Sequence, residues 1–139
     1  MGIEENKAVF VKFLEEVIHN KNTEMIFKLV DANRVSHNAR GGEGHGVERY
    51  KNSIETVSRA FPDIHYDVER MIAEGDFVCT CLRASATHQG EFMGIKPTGK
   101  TYSWGEVAIS RFKDGKIVED WQYLTSPGLV DQLKESASE

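Results

Sequence analysis

The chain has 139 residues, 17 Lys and Arg against 22 Asp and Glu, and a formal net charge of −5, a length that predicts one domain over residues 1–139. Apolar residues make up 40% and charged residues 28%, enough to bury a core and too hydrophobic for an intrinsically disordered chain. The acidic balance, with a pI near 5.6, argues against a protein that grips nucleic acid, because neutralising phosphates takes a clustered cationic surface.

The opening MGIEENK is acidic and lacks the basic and apolar blocks of a secretory leader, and Asn6 stands where an N-myristoylation motif needs Ser or Thr. No apolar run approaches the roughly 20 residues that cross a bilayer, so the expectation is a cytoplasmic protein with no membrane contact. Over residues 7–20, Phe10, Phe13, Leu14, Val17 and Ile18 recur at helical spacing, with Lys12, Glu15 and Glu16 on the other side. After the polar break at residues 19–22, Thr23 is placed to cap a second, shorter helix carrying Met25, Ile26, Leu29 and Val30. Residues 31–39 leave the helical period, and Gly41, Gly42, Gly44 and Gly46 mark a flexible lid or linker. That stretch lacks the Lys-Ser/Thr of a phosphate loop. Val47, Tyr50, Ile54, Val57 and Phe61 form the stripe of a third helix, stopped by Pro62.

Beyond Pro62 the period falls to two. Strands are predicted over residues 64–73, 77–89, 101–112 and 117–125, with turns at Glu74-Gly75-Asp76, Pro97-Thr98-Gly99 and Lys113-Asp114-Gly115-Lys116. Cys79 and Cys81 stand one residue apart on the second of these, a spacing that fits small buried apolar side chains and not a redox pair. Ser126 is placed to cap a last helix that has Pro127 at its first position and Leu129, Val130 and Leu133 on its apolar side, and residues 135–139 read as a frayed tail. Three helices, a four-stranded antiparallel meander and a closing helix define an α+β fold and not a βαβ one. By analogy, a long curved antiparallel sheet with the helices laid across its concave face leaves a pocket at the wide end.

Three segments carry a resemblance. They are Phe61-Pro62-Asp63 followed by the strand ending Ala73-Glu74-Gly75-Asp76, the run from Thr87-His88-Gln89-Gly90 through Glu91-Phe92-Met93-Gly94-Ile95-Lys96 to Pro97-Thr98-Gly99-Lys100, and Arg111-Phe112-Lys113-Asp114-Gly115-Lys116-Ile117-Val118-Glu119-Asp120-Trp121. In this order and spacing the chain resembles the SnoaL-like polyketide cyclases, also called SnoaL-like ester cyclases, from the first helix to Leu133. The resemblance implies the nuclear-transport-factor-two-like fold, a cystatin-like α+β barrel shaped as a cone with a deep pocket, usually dimeric through the outer sheet face. It also implies intramolecular aldol closure of a polyketide methyl ester with no cofactor, metal or covalent intermediate. In that reaction an acid on the last strand takes a proton from the activated carbon and later returns one to the alkoxide; Asp120 is the best match to it. His37-Asn38 stands where the family often carries the same pair.

Strict alternation puts Val118, Asp120, Gln122 and Leu124 on one face of the last strand and Glu119, Trp121 and Tyr123 on the other. If the first face looks into a pocket, desolvation raises the Asp120 pKa toward that of a useful base; if it faces water, Asp120 is an ordinary surface acid. An enolate oxygen needs donors. His37 and Asn38 near the pocket mouth, and His88 on the parity of Val78, Thr80, Leu82, Ala84 and Ala86, are the candidates, the alternative for each histidine being a ring that caps a loop. Trp104 and Glu106 share a face with Tyr102, Ala108 and Ser110. Trp104 offers a stacking wall or a core residue. Glu106 offers a second carboxyl whose pKa would be pushed away from that of Asp120, or an ion pair with Arg83 or Arg111. Glu106 also departs from what the resemblance to the best-understood cyclases implies, namely uncharged or imidazole side chains on that strand, and an extra acid there disfavours an anionic ligand.

The expected catalytic residues are therefore Asp120 and His88, and the expected substrate-binding residues His37, Asn38, Trp104, Glu106 and Gln122. No His-Glu-x-x-His or Gly-x-Ser-x-Gly run is present, so neither a metal centre nor a serine hydrolase is expected. The expected activity is a polyketide-cyclase type of acid/base chemistry on a carbonyl-activated small cyclic or aromatic substrate. The alternatives are hydroxylation, epoxide hydrolysis or double-bond isomerisation in the same pocket, or a non-catalytic protein that binds a small hydrophobic ligand.

Overall fold

The computed structural model of the chain describes residues 2–39, 42–125 and 127–138. Helix α1 (Ile3–Lys12) runs on into a wider π-helical stretch, Phe13–His19, whose end is marked by the Asn20 N–H donating to the Glu15 carbonyl at 2.8 Å. That stretch buries Phe13, Leu14 and Val17. A 3-10 turn, Thr23–Met25, leads into the single turn of α2 (Ile26–Leu29). Thr23 is not the cap: Asn22 precedes the turn, and the Thr23 hydroxyl donates instead to Glu55 at 3.1 Å. Val30, grouped with that helix by its spacing, opens a strand.

The rest of the chain is β1 (Val30–Ala39), β2 (Gly42–His45), α3 (Val47–Ala60), β3 (His65–Glu74), β4 (Phe77–Thr87), β5 (Thr101–Lys113), β6 (Lys116–Leu124) and α4 (Leu129–Ala137). The six strands form one curved, unclosed sheet in the order β2-β1-β6-β5-β4-β3. Strands β3 to β6 are the antiparallel meander that alternation predicts. The hairpin β1-β2 is additional, and β1 lies parallel to β6, with Ser36 beside Asp120. The glycine-rich stretch is thus partly a strand, with Gly42 and Gly44 in β2, and Gly46 at φ 91° turning the chain into α3; Gly41 lies outside the described residues. Helix α4 continues to Ala137, so residues 135–137 are helical; the Ser126 cap lies outside the described residues.

A bulge sets the inner face of the last strand. Arg111 pairs with Glu119 while Phe112 pairs with Ile117, which leaves Val118 unpaired and switches the parity, so Ile117 and not Val118 shares the inner face with Asp120. Cys79 and Cys81 lie on the outer face, half-buried opposite Ile109 and Val107. Two apolar clusters fill the space between helices and sheet. One joins Phe10, Phe13, Leu14 and Val17 to Val78, Leu82 and Ile117; the other joins the end of α3 and α4 to Ala84, Ala86, Phe92, Tyr102 and Trp104. Among the described residues no helix is long and apolar enough to cross a membrane.

Candidate active site

Between the first cluster and the sheet lies a cavity of about 160 Å³. Its apolar walls come from Phe10, Phe13, Leu14 and Ile18 at the N-terminus, Ile54 and Val57 on α3, and Leu82, Ala108 and Ile117 on the sheet. Its polar groups are Tyr50, Ser53 and Ser58 on α3, Tyr66 on β3, Glu106 and Ser110 on β5, and Asp120 and Gln122 on β6. Period-two alternation brings the last four together: Ser110 pairs directly with Asp120, and Glu106 is two positions from Ala108, the partner of Gln122.

Asp120 is buried and does not stand alone. Arg34, itself buried and on the inner face of β1, forks onto it, Nε donating to Oδ2 at 2.6 Å and Nη2 to Oδ1 at 3.1 Å. A buried carboxylate needs such a counter-charge and a satisfied oxygen pair. The same guanidinium lies over the Tyr50 ring at 3.6 Å from its centroid. Arg34 thereby links β1, β6 and α3 at one point of the cavity wall.

Glu106 has a different setting. It is 7% exposed, and its described partner is the indole of Trp104, whose Nε1–H donates to Oε1 at 3.3 Å. Arg111 is engaged by Glu119 at 2.7 Å, and among the described residues no cation pairs with Glu106. Burial pushes the Glu106 carboxyl above its ordinary range, only partly offset by the Trp104 hydrogen bond. Two acids thus face one cavity, one held by a cation and one desolvated and uncompensated, the arrangement that separates the roles of paired carboxyls. Burial also raises the phenols: Tyr50 further through the charge of Asp120, against Arg34, and Tyr66 further through Glu106.

Of the residues singled out from sequence, the structure gathers Asp120, Glu106 and Gln122 on the cavity wall, Gln122 at its exposed rim. Trp104 is on the expected face but packs in the second cluster, where it serves Glu106. His88 is fully buried beside that cluster, stacked on Phe61 with centroids 5.2 Å apart, and its Nδ1 accepts the Thr98 N–H at 3.0 Å. It does not line the cavity. His37 lies on the outer side, stacked on Trp121 at 4.8 Å and in contact with the carboxylates of Glu119 and Glu43. Asn38 spends its amide on the strand, accepting the Gln122 N–H at 2.6 Å and donating to the Gln122 carbonyl, so that it continues the β1-β6 pairing. Arg34, Tyr50 and Tyr66 were not singled out for the site. Tyr50 was visible as the one polar-tipped residue in the α3 stripe, whereas Arg34 gave no signal without recognition of β1. Among the described residues no cluster of three or more His, Cys, Asp and Glu is placed to hold a metal ion.

A curved, unclosed sheet with helices laid over one face is an α+β architecture that this chain shares with a solved SnoaL-like polyketide cyclase structure from Jannaschia, at TM-score 0.86. The family model for SnoaL-like polyketide cyclases matches residues 8–133, and the chain belongs to this family. Among solved structures, it is similar to AclR of Streptomyces galilaeus, provisionally assigned as a hydroxylase, at 31% identity and TM-score 0.83 over 96% of this chain and 83% of AclR. It is similar to IdmH of Streptomyces antibioticus, provisionally assigned as a polyketide cyclase, at 26% identity and TM-score 0.78 over 93% and 98% of the two chains. A polyketide cyclase, also a provisional assignment, from Acidithiobacillus ferrooxidans is 25% identical with TM-score 0.83 over 98% and 99%. Comparison with curated proteins finds no match.

Proposed function

We propose that the protein is a cofactor-independent enzyme that performs an intramolecular aldol-type closure on a small cyclic or aromatic carbonyl compound. The observation that carries this reading is the pair of buried carboxyls of unlike setting on one apolar cavity. Asp120, kept in counter-charge by Arg34, takes the proton from the carbon beside the substrate carbonyl. The freed electron pair forms the new carbon–carbon bond at a second carbonyl, whose π pair moves onto its oxygen. Glu106 donates the proton that this oxygen accepts, and both carboxyls return to their starting states by exchange with solvent. The apolar walls keep bulk water from the enolate.

The test is turnover of a panel of diketo and aromatic polyketide methyl esters, followed by absorbance and mass spectrometry. Asp120→Asn retains an acceptor for Arg34, and it is expected to bind the accepted ester within a few-fold of wild type while losing about 10²–10⁴-fold in kcat. Wild-type turnover by Asp120→Asn overturns the assignment. A second reading, hydroxylation of an aromatic substrate in the same cavity, is favoured by the 31% identity with AclR; one atom of O2 enters the ring and the other leaves as water with two electrons from an added reductant, so products that gain one oxygen atom only when both air and reductant are present would select it. Binding without any product would mark a carrier of small hydrophobic ligands. The same reading has two copies associate through the outer sheet face, as the family resemblance implies.

A further inference from the structure

Tyr50 from α3 and Tyr66 from β3 both line the cavity, and among the described residues neither hydroxyl has a hydrogen-bond partner in the protein; the recorded hydrogen bond of Tyr66 is its backbone N–H on His19 Nε2 at 3.0 Å. A phenol in an apolar cavity without an acceptor is an unmet donor, and ligands are what normally meet it. The Arg34 guanidinium 3.6 Å above the Tyr50 ring packs against it and holds the phenol in place on the cavity wall. The two phenols and Glu106 are near enough to act on one another's ionisation. Because Arg34 balances Asp120, the cavity offers donors without a net positive charge, so it is built for an uncharged acceptor and not for an anion. Its size is close to that of cavities of about 150 Å³ known to take one benzene ring.

We propose that Tyr50 and Tyr66 are the donors that hold the substrate's carbonyl oxygen and carry its charge in the enolate, and that the substrate is an uncharged ketone of one ring or a compact bicycle. This rests on the aldol-type reading above, in which the substrate's enolate is generated beside Asp120.

The test uses ketones as probes and reads binding, so it stands apart from turnover. Titrations of wild-type protein with 2-cyclohexenone, 1-tetralone and anthrone are compared with cyclohexanecarboxylate, with carbonyl-labelled ¹³C cyclohexenone reporting the carbonyl environment by NMR. The one- and two-ring ketones are expected to bind and to shift the carbonyl signal, while the carboxylate and the three-ring ketone bind at least tenfold more weakly. Tyr50→Phe and Tyr66→Phe are each expected to weaken ketone binding about three- to tenfold and together to abolish the carbonyl shift, whereas Tyr123→Phe, at an exposed tyrosine outside the cavity, keeps it. An unshifted carbonyl in wild type, tighter binding of the carboxylate or of anthrone, failure of every ketone to bind at millimolar concentration, or a double variant that binds like wild type would overturn the proposal. Loss of turnover in Asp120→Asn alongside any of these leaves the aldol reading standing, so the two fail separately.

Discussion

Glu106 is buried against the Trp104 indole, and among the described residues no cation stands beside it, a position that chemistry can use and stability cannot. Its carboxyl titrates above the ordinary carboxylate range when folded, so the folded protein holds the proton more tightly than the unfolded chain does. Stability is then full below the unfolded-state value and falls as pH rises from there through the raised folded value. Glu106→Gln removes this dependence while keeping an acceptor for Trp104. It is expected to raise the melting midpoint at pH 7 by about 4 °C, roughly 1 kcal/mol, with the gain vanishing below pH 4; a midpoint lowered at pH 7 would contradict a desolvated acid. Both acids were named from the sequence, Glu106 by its place in a strand with clear alternation and Asp120 by the family resemblance, because alternation alone left open which face of the last strand looks inward and the bulge at Val118 interrupts it. Arg34 was not, because Asp31, Asn33, Ser36, His37 and Asn38 blur any period in β1 and its partner strand lies some 85 positions on, so nothing local assigns it a face. For His88 the parity argument reached the right face, but that end of the sheet is filled by the second apolar cluster and offers no cavity.

The segment after β4 closes the C-terminus of α3. The Ala60 carbonyl, left without a partner by the end of the helix, accepts the N–H groups of both Gln89 and Gly90, at 2.9 and 3.0 Å. Asp63, just past that helix, takes the backbone N–H and hydroxyl of Thr87 at 2.7 and 2.6 Å. The motif residues that carry the family resemblance here are therefore a clasp between helix and sheet, a role that the sequence pattern alone did not show because it exists only once α3 and β4 meet. Backbone approach is tight: a Cβ on Gly90 would stand 2.9 Å from the Arg59 carbonyl oxygen and 3.1 Å from the Ala60 Cα. Gly90→Ala is expected to cost about 1–3 kcal/mol in denaturant unfolding and to weaken ligand binding, since α3 carries Tyr50, Ser53 and Ile54 into the cavity wall. An unchanged unfolding midpoint would show that the clasp yields freely.

At the scale of the whole molecule, the helices cover one face of the sheet and leave the other bare. On that outer face the cross-strand row Ile72-Cys79-Ile109-Trp121 runs over four strands, flanked by Phe77 and Tyr123, and Ile72, Phe77 and Tyr123 are exposed. This apolar row, bordered on one side by the Arg111–Glu119 ion pair, favours association, and a second copy of the same face is self-complementary under a two-fold axis. The cavity lies between the helices and the other side of the sheet, so association and ligand binding are expected to be separable. Light scattering at tens of micromolar is expected to give twice the 15.7 kDa of a single chain. The double variant Ile72→Asp, Tyr123→Asp is expected to give the single-chain mass with ketone binding intact, because two charges placed in a desolvated interface oppose its burial. A wild-type protein that stays at the single-chain mass would remove the dimer, and the bare sheet face would then be surface that the acidic net charge alone keeps dispersed.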